Sequence, residues 1–375
     1  MGTADFTHHF WLEELKAKLE DLGNGLYKYK DIYFILTGEI SSIYSKKGRT
    51  YRIHNLIFAP SFKVVDKINQ TLCKFGNLLS DGRPILGIDC AELAKIIFDI
   101  NENCIIVPGH IWTPWFSLFG SMSGFNRIED CFEEQTSKIF ALETGLSSDP
   151  KMNWRLSTLD RFSLISNSDS HSPQKIGREA NIFDCELDYN TIREVLKTKD
   201  KKRFLYTIEF FPEEGKYHFD GHRLCNIRWS PQETRAHKGI CPKCNKPVTV
   251  GVMNRVEQLA DRPDGFIPEI AIPFKNLIPL DEIIAEAKGI NKNSASIEQE
   301  YRKIINKFGS EFEILINISE EELFKNLSPK IAEGIIRVRK GQVNINPGFD
   351  GEYGIISIFN EKEKKLSQDQ QLSLF

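Results

Sequence analysis

Asp169 and His171 stand two residues apart in Ser166-Asn167-Ser168-Asp169-Ser170-His171-Ser172, directly after the apolar run Phe162-Ser163-Leu164-Ile165. If that run is a strand, side chains alternate between its faces, so residues two apart leave its end on the same side. A carboxylate oxygen and an imidazole nitrogen presented together can hold a catalytic metal. A lone pair of this kind is more often a polar turn. Here other apolar runs also carry His, Asp or Glu at their ends. Asp5 and His8 lie in Gly2-Thr3-Ala4-Asp5-Phe6-Thr7-His8, Glu39 follows Phe34-Ile35-Leu36-Thr37-Gly38, and His54 opens the run to Ala59. His110 closes Ile105-Ile106-Val107-Pro108-Gly109, and Glu143 closes Phe140-Ala141-Leu142. Six strand ends in register bearing such groups, and no lysine, predict a metal site. Imidazole and carboxylate donors suit Zn, Mn or Fe, and a set this large suggests two or three ions. Clustered divalent ions activate water and stabilise both oxygens of an in-line phosphoryl displacement, which makes phosphoester hydrolysis the leading chemistry.

These residues need a scaffold. Up to about residue 213, short apolar runs alternate with amphipathic stretches at Val64–Phe75, Asp89–Ile100 and Leu187–Thr198. Alternation of that kind predicts an α/β fold, a parallel sheet or (β/α) barrel with its site on the loops after the strands. Residues 214–260 cluster Cys, His, Pro and basic side chains, residues 261–358 turn helical and charged, and residues 359–375 form a polar tail. Ser319 followed by three glutamates marks a helix start, and Pro329 to Gly341 a further helix. A chain of 375 residues, 41% hydrophobic, can bury a large core. Its net charge of −3 leaves nucleic-acid contact to local basic patches. The sequence has no run near the roughly 18–20 apolar residues of a membrane span and no secretory opening, so the expected location is cytoplasmic, at the nucleoid.

Cys241-Pro242-Lys243-Cys244 is a CxxC, and His222 with Cys225 completes H-x2-C-x15-C-x2-C. That is close to the two-knuckle spacing of structural zinc. A redox CxxC would need a thioredoxin-like context that is missing. His218 and His237 are also in reach as the fourth ligand. Arg223, Arg228, Arg235, Lys238, Lys243 and Lys246 face a single Glu233 over this stretch. A solvated face would explain them, and so would a phosphate-contacting surface, with Arg223, Arg228 and Lys243 the leading DNA contacts. Beside His110, Trp112, Trp115 and Phe116 either pack in the core or stack on an extruded base.

The segments Asp5–His8, Leu36–Ser41, Ile53–Ser61, Gly109–Ser121, Ala141–Ser157 and Ser166–Pro173 resemble the polymerase and histidinol phosphatase (PHP) superfamily. More narrowly, they resemble endonuclease Q, a repair nuclease that incises DNA 5′ to deaminated bases. The resemblance implies a PHP-type distorted (β/α) barrel over 1–213, then the zinc-binding module and the helical region. It makes His8, Glu39, His54, His110, Asp169 and His171 metal ligands, with Asp5 and Glu143 as catalytic groups. The expected ions are two or three of Zn, Mn or Mg, plus one structural Zn. PHP proteins end their first strand in an HxH pair, and this chain contains no HxH. Roughly thirty to forty residues of the family pattern therefore have no counterpart before Asp5, and a barrel without its first strand exposes a sheet edge.

The terminal Gln371-Leu372-Ser373-Leu374-Phe375 follows a charged stretch. Apolar residues ending such a tail need a pocket to enter. The pentapeptide resembles the bacterial sliding-clamp-binding motif, with Gln371 as anchor and Leu372, Leu374 and Phe375 filling the groove. The expected function is metal-dependent incision of duplex DNA 5′ to uracil or hypoxanthine. A PHP phosphoesterase of small phosphorylated metabolites and a catalytically impaired clamp- and DNA-binding adaptor are the alternatives.

Overall fold

The computed structural model describes residues 1–80, 82–360 and 363. Two long strands dominate the first half, β1 (Leu36–Lys46) and β2 (Arg49–Ala59). They form an antiparallel hairpin with Leu36 opposite Ala59 and Lys46 opposite Arg49. Its turn is Lys47-Gly48, both residues at positive φ (51° and 76°), the mirror-image turn that suits the twist of paired strands. Helix α1 (Phe62–Leu72) starts where the Ser61 hydroxyl accepts the Val64 N–H. Strand β3 (Ile85–Leu86) runs parallel to β1, and α2 (Cys90–Ile100) is capped by the Asp89 carboxylate on the Glu92 N–H at 2.8 Å. Strand β4 (Ile105–Pro108) pairs antiparallel with β2 and completes a sheet of order β3-β1-β2-β4.

Strands β5 (Ala141–Glu143) and β6 (Ser163–Ile165) form a parallel pair. Next come β7 (Ala180–Phe183), α3 (Tyr189–Thr198) and β8 (Phe204–Glu209). The small hairpin β9 (Asp220–His222) and β10 (Ile227–Trp229) precedes α4 (Val252–Leu259), and β11 (Phe274–Asn276) returns to lie parallel to β8. Helices α5 (Leu280–Lys288), α6 (Ala295–Phe308), α7 (Glu320–Asn326) and α8 (Pro329–Arg339) follow, then the hairpin β12 (Asn344–Asn346) and β13 (Ile355–Ser357).

The expected barrel is corrected here. Among the described residues the strands make separate short sheets rather than a closed barrel. One gap lies between β6 and β7, where a side chain bridges the strands: the Asn181 amide accepts the Ser166 N–H at 2.9 Å and donates to its carbonyl at 2.8 Å. The largest core packs Phe6, Ile40, Ile53, Ile57, Val65, Ile68, Leu93, Ile97 and Ile106 between the long hairpin, α1 and α2. Full burial of each Ile or Leu contributes about 1.5–3 kcal/mol. A separate core of Ile283, Ile284, Ile297, Ile304, Ile331 and Ile335 holds the C-terminal helices and reaches Ile208 and Phe211. Ile105, Val107, Ile165, Tyr189 and Phe204 form a third cluster, and Trp229, Cys241 and Val248 a fourth, small one. Among the described residues no helix is long and apolar enough to cross a membrane.

At the end of β8, Glu209 is wholly buried and accepts hydroxyl protons from Thr144 (2.8 Å) and Thr207 (2.5 Å). Burial pushes its carboxyl up to about 8. The buried Glu179 nearby is raised by burial and by Glu209. A raised acid is protonated in the fold at pH values where the unfolded chain has already ionised, so its contribution falls as pH rises from its unfolded value toward 8. Glu209→Gln keeps the shape without that proton. Denaturant titrations from pH 6 to pH 9 are expected to show the parent losing about 1–3 kcal/mol relative to this variant; parallel pH profiles would contradict the protonated assignment.

Candidate metal centre

Glu39 and His54 come together through register. Glu39 pairs with Leu56 and His54 with Ser41, which makes them diagonal neighbours on one face, within reach of long side chains. They thus lie within long strands, not at strand ends as the sequence suggested. Glu39 Oε1 is 3.2 Å from His54 Nδ1, which is 2.9 Å from Nε2 of His110. His110 arrives on the loop after β4, pinned by the Gly109 N–H on the His54 carbonyl at 2.9 Å. Glu39, His54 and His110 each offer a donor atom, all within 4.8 Å of one another. A carboxylate and two imidazoles so disposed fit a Zn- or Mn-type divalent ion.

Glu143, expected as a catalytic group, lies hydrogen-bonded beside His110. It is 2% exposed and both oxygens are committed: Oε2 accepts the His110 backbone N–H at 2.7 Å, and Oε1 accepts the Asn167 amide at 2.8 Å. Oε2 also lies 3.5 Å from His110 Nδ1. Glu143 therefore orients His110, as outer carboxylates orient metal-binding imidazoles. Burial disfavours the protonated His110 ring, but Glu143, Glu39 and Asp169 outweigh it and raise its pKa.

Asp169 joins the group through Arg83, a residue the sequence reading missed, whose guanidinium is 3.6 Å from Asp169 Oδ2 and 3.3 Å from Glu39 Oε1. Burial and the charge of Glu39 push the carboxyls of Asp5 and Asp169 up. Arg83, His8 and His171 act on Asp5 in the opposite sense. His171 itself is exposed, with Nδ1 2.9 Å from the Asp169 carbonyl. Asp5, His110 and Asp169 have φ of 43°, 30° and 45°. Non-glycine residues there cost about 1–3 kcal/mol each and persist where surrounding structure demands them. Gly145 is part of that demand, since a Cβ there would stand 2.6 Å from His110 Cβ.

The aromatic loop divides. Trp112 is fully buried, packed on Phe119 with its indole N–H on Asn153 at 2.8 Å, which removes it as a base contact. Phe116 lies 5.0 Å from the His54 ring, and its carbonyl accepts the His54 N–H. Trp115 is 39% exposed and meets Tyr217 edge-on. Both line a cavity of about 230 Å³ with Thr113, Ser147, Lys216 and His218.

His222, Cys225, Cys241 and Cys244 converge in a second group, with Cys244 Sγ 3.9 Å from His222 Nε2. The rival histidines are engaged elsewhere: His218 is buried against Phe219 and pushed down to about 4 by burial, and His237 stacks on Trp229. Lys243 donates to the Cys225 carbonyl at 2.7 Å, while Arg228 binds the side-chain carbonyl of Asn346 and the Pro347 carbonyl. The Arg223 N–H goes to Asp350 at 2.7 Å. The candidate clamp motif, Gln371, Leu372, Leu374 and Phe375, lies outside the described residues.

Fold and site define a mixed α/β protein with a carboxylate–imidazole pocket and a separate Cys3His cluster. Residues 279–342 match the family described as MJ0043 C-terminal domain. The chain is 35% identical over 260 residues to protein MJ0043 of Methanocaldococcus jannaschii, covering 67% of this chain but only 32% of that protein, about a third of its length. YqxK of Bacillus subtilis is 28% identical over 345 residues, 91% of this chain and 82% of its own. The crystal structure of the lesion-specific endonuclease PfuEndoQ from Pyrococcus furiosus superposes with a TM-score of 0.84 at 28% identity, covering 96% of this chain and 87% of that one. Endonuclease Q in complex with a 27-mer duplex bearing an abasic lesion at the active site gives 0.82 at 28% identity, covering 97% and 89%. The chain is thus similar to endonuclease Q structures over nearly its whole length and homologous to MJ0043 and YqxK.

The Cys3His group predicts one zinc per chain that survives dialysis. Cys241→Ser is expected to lose it, measured by elemental analysis, and to lower the melting temperature, because structural zinc contributes folding energy directly. Unchanged zinc content would exclude this cluster.

Proposed function

We propose that the chain is a metal-dependent endonuclease that hydrolyses the DNA phosphodiester 5′ to a deaminated base, uracil or hypoxanthine. The observation that carries this reading is the contact set of Glu39, His54 and His110 within a fold shared with lesion-specific endonucleases over nearly its whole length. Glu39, His54 and His110 would hold one ion, with Asp169, His8 and His171 the proposed ligands of a second or third. Bound there, divalent ions would supply an activated water and neutralise phosphoryl charge. The chain's own groups do the positioning: Glu143 holds His110, Asn167 holds Glu143, and Phe116 covers the His54 ring. Asp5, its carboxyl raised chiefly by burial, is the group beside the pocket best suited to exchange a proton with the reacting oxygens.

The cavity beside Trp115 and Tyr217 is the proposed receptor for the extruded base. Thr113 on its wall donates its hydroxyl to the His110 carbonyl, so cavity and donor set share a loop. At about 230 Å³ it is below the ~300 Å³ of drug-sized pockets and suits a single ring system. Arg223, Arg228 and Lys243 are proposed to meet duplex phosphates, and Gln371 to Phe375 to engage a sliding clamp.

Incubation with uracil- and hypoxanthine-containing duplexes and added Mn, Mg or Zn is expected to give cleavage on the 5′ side of the lesion. His110→Ala and Asp169→Asn should lower the rate more than roughly a hundredfold while duplex binding changes little. Failure to cut any deaminated duplex under every metal, with the zinc cluster loaded, would sink the nuclease reading.

A further inference from the structure

Arg83 touches three candidate ligands at once. Its Nη1 is 2.9 Å from His54 Nδ1 and 3.3 Å from Glu39 Oε1, and its Nη2 is 3.6 Å from Asp169 Oδ2. Backbone pairing delivers it there. The Ser41 N–H donates to the Pro84 carbonyl at 3.0 Å, and Ile85 and Leu86 pair with Ser41 and Ser42. Ser41 lies two residues beyond Glu39, so Arg83 is carried along the edge of the donor set. On the far side of this segment, Gly76 leaves no room for a Cβ, which would meet the Ile85 carbonyl at 2.6 Å. A guanidinium has donors only and stays charged. His54 Nδ1 and the two carboxylate oxygens therefore turn lone pairs toward it. Those lone pairs are the ones a divalent ion would take. The single lone pair of His54 Nδ1 cannot serve both partners, and at the carboxylates the two cations repel each other.

We propose that Arg83 is the built-in counter-ion of this pocket: it competes with divalent metal for Glu39, His54 and Asp169, and metal loading turns its guanidinium out of the donor set. This rests on the metal-site part of the proposed function and not on the choice of substrate. The site thereby keeps its buried carboxylates compensated at every stage of loading, and the displaced guanidinium stays close enough to meet an incoming phosphate.

The experiment is a calorimetric titration of Mn(II), which thiolate clusters disfavour, into the chelator-treated full chain and its Arg83→Gln and Arg83→Lys variants. Arg83→Gln is expected to bind Mn(II) at least roughly tenfold tighter, the size of effect one neighbouring opposite charge exerts on a carboxylate, with Arg83→Lys in between. Equal or weaker binding by a folded Arg83→Gln overturns the proposal. Phenylglyoxal labelling of the unmodified sequence, mapped by mass spectrometry, provides a readout that needs no variant. Labelling of Arg83 should rise several-fold when Mn(II) is added, and no rise, or a fall, overturns the proposal equally. Neither measurement involves DNA, so a chain that binds metal as stated yet cuts no damaged duplex would lose only the nuclease reading.

Discussion

Glu39 Oε1, His54 Nδ1 and His110 Nε2 are strung about 3 Å apart in a largely buried pocket, and that crowding is the constraint the rest of the structure answers. Lone pairs at such distances away from water are tolerable only with a proton or a cation among them. His110 responds with a raised pKa, and Arg83 supplies a permanent positive charge. A divalent ion would satisfy the same requirement more strongly. The pocket is thus built around compensation of charge, and its geometry follows from holding the donors close enough to need it.

Holding them there takes backbone in unfavourable conformations. Asp5, His110 and Asp169 all sit at positive φ, in loops that leave the sheet beside the long hairpin. Beside backbone bonds such as Gly109 to His54, side chains fasten the His110 and Asp169 loops: Glu143 on the His110 N–H, Asn181 on Ser166, Asn167 on Glu143. Side-chain fastening frees the chain to turn sharply where a ligand must point inward.

The Glu39, His54 and His110 group was legible in residue types, because carboxylates and imidazoles recurring beside several apolar runs are less expected by chance than a single one. Helix positions were legible too, through caps such as Ser61, Asp89 and Ser319. The β1–β2 hairpin was not. Leu36 to Ser42 are almost continuously buried, so the alternation that marks a two-faced strand is absent, and only Lys47-Gly48 hinted at the turn. Trp112 and Trp115, three residues apart, met opposite fates because one finds an acceptor in Asn153 and the other none in the core. Arg83 carried no local signal at all. Its role comes from strand pairing forty residues upstream, which composition and spacing cannot express.

The C-terminal turn Pro347–Gly354, opaque in sequence, ties the outlying parts together. Asp350 takes the Arg223 N–H and the Thr249 hydroxyl, the Gly348 carbonyl takes the Phe219 N–H, and Gly348 and Gly354 donate to the Glu213 and Glu214 carbonyls. Arg228 also binds this segment, through Nη1 on Asn346 and Pro347. The Cys3His module is therefore stabilised from outside by the same hairpin that ends the helical region, and its own apolar cluster of Trp229, Cys241 and Val248 is too small to stand alone. The Trp115–Tyr217 cavity lies where this fastening meets the aromatic loop, since Tyr217 and His218 immediately precede β9 while Thr113 and Trp115 follow His110. The cavity and the carboxylate–imidazole pocket are thus joined by a short covalent path, because Thr113 on the cavity wall lies three residues from His110 and bonds its carbonyl.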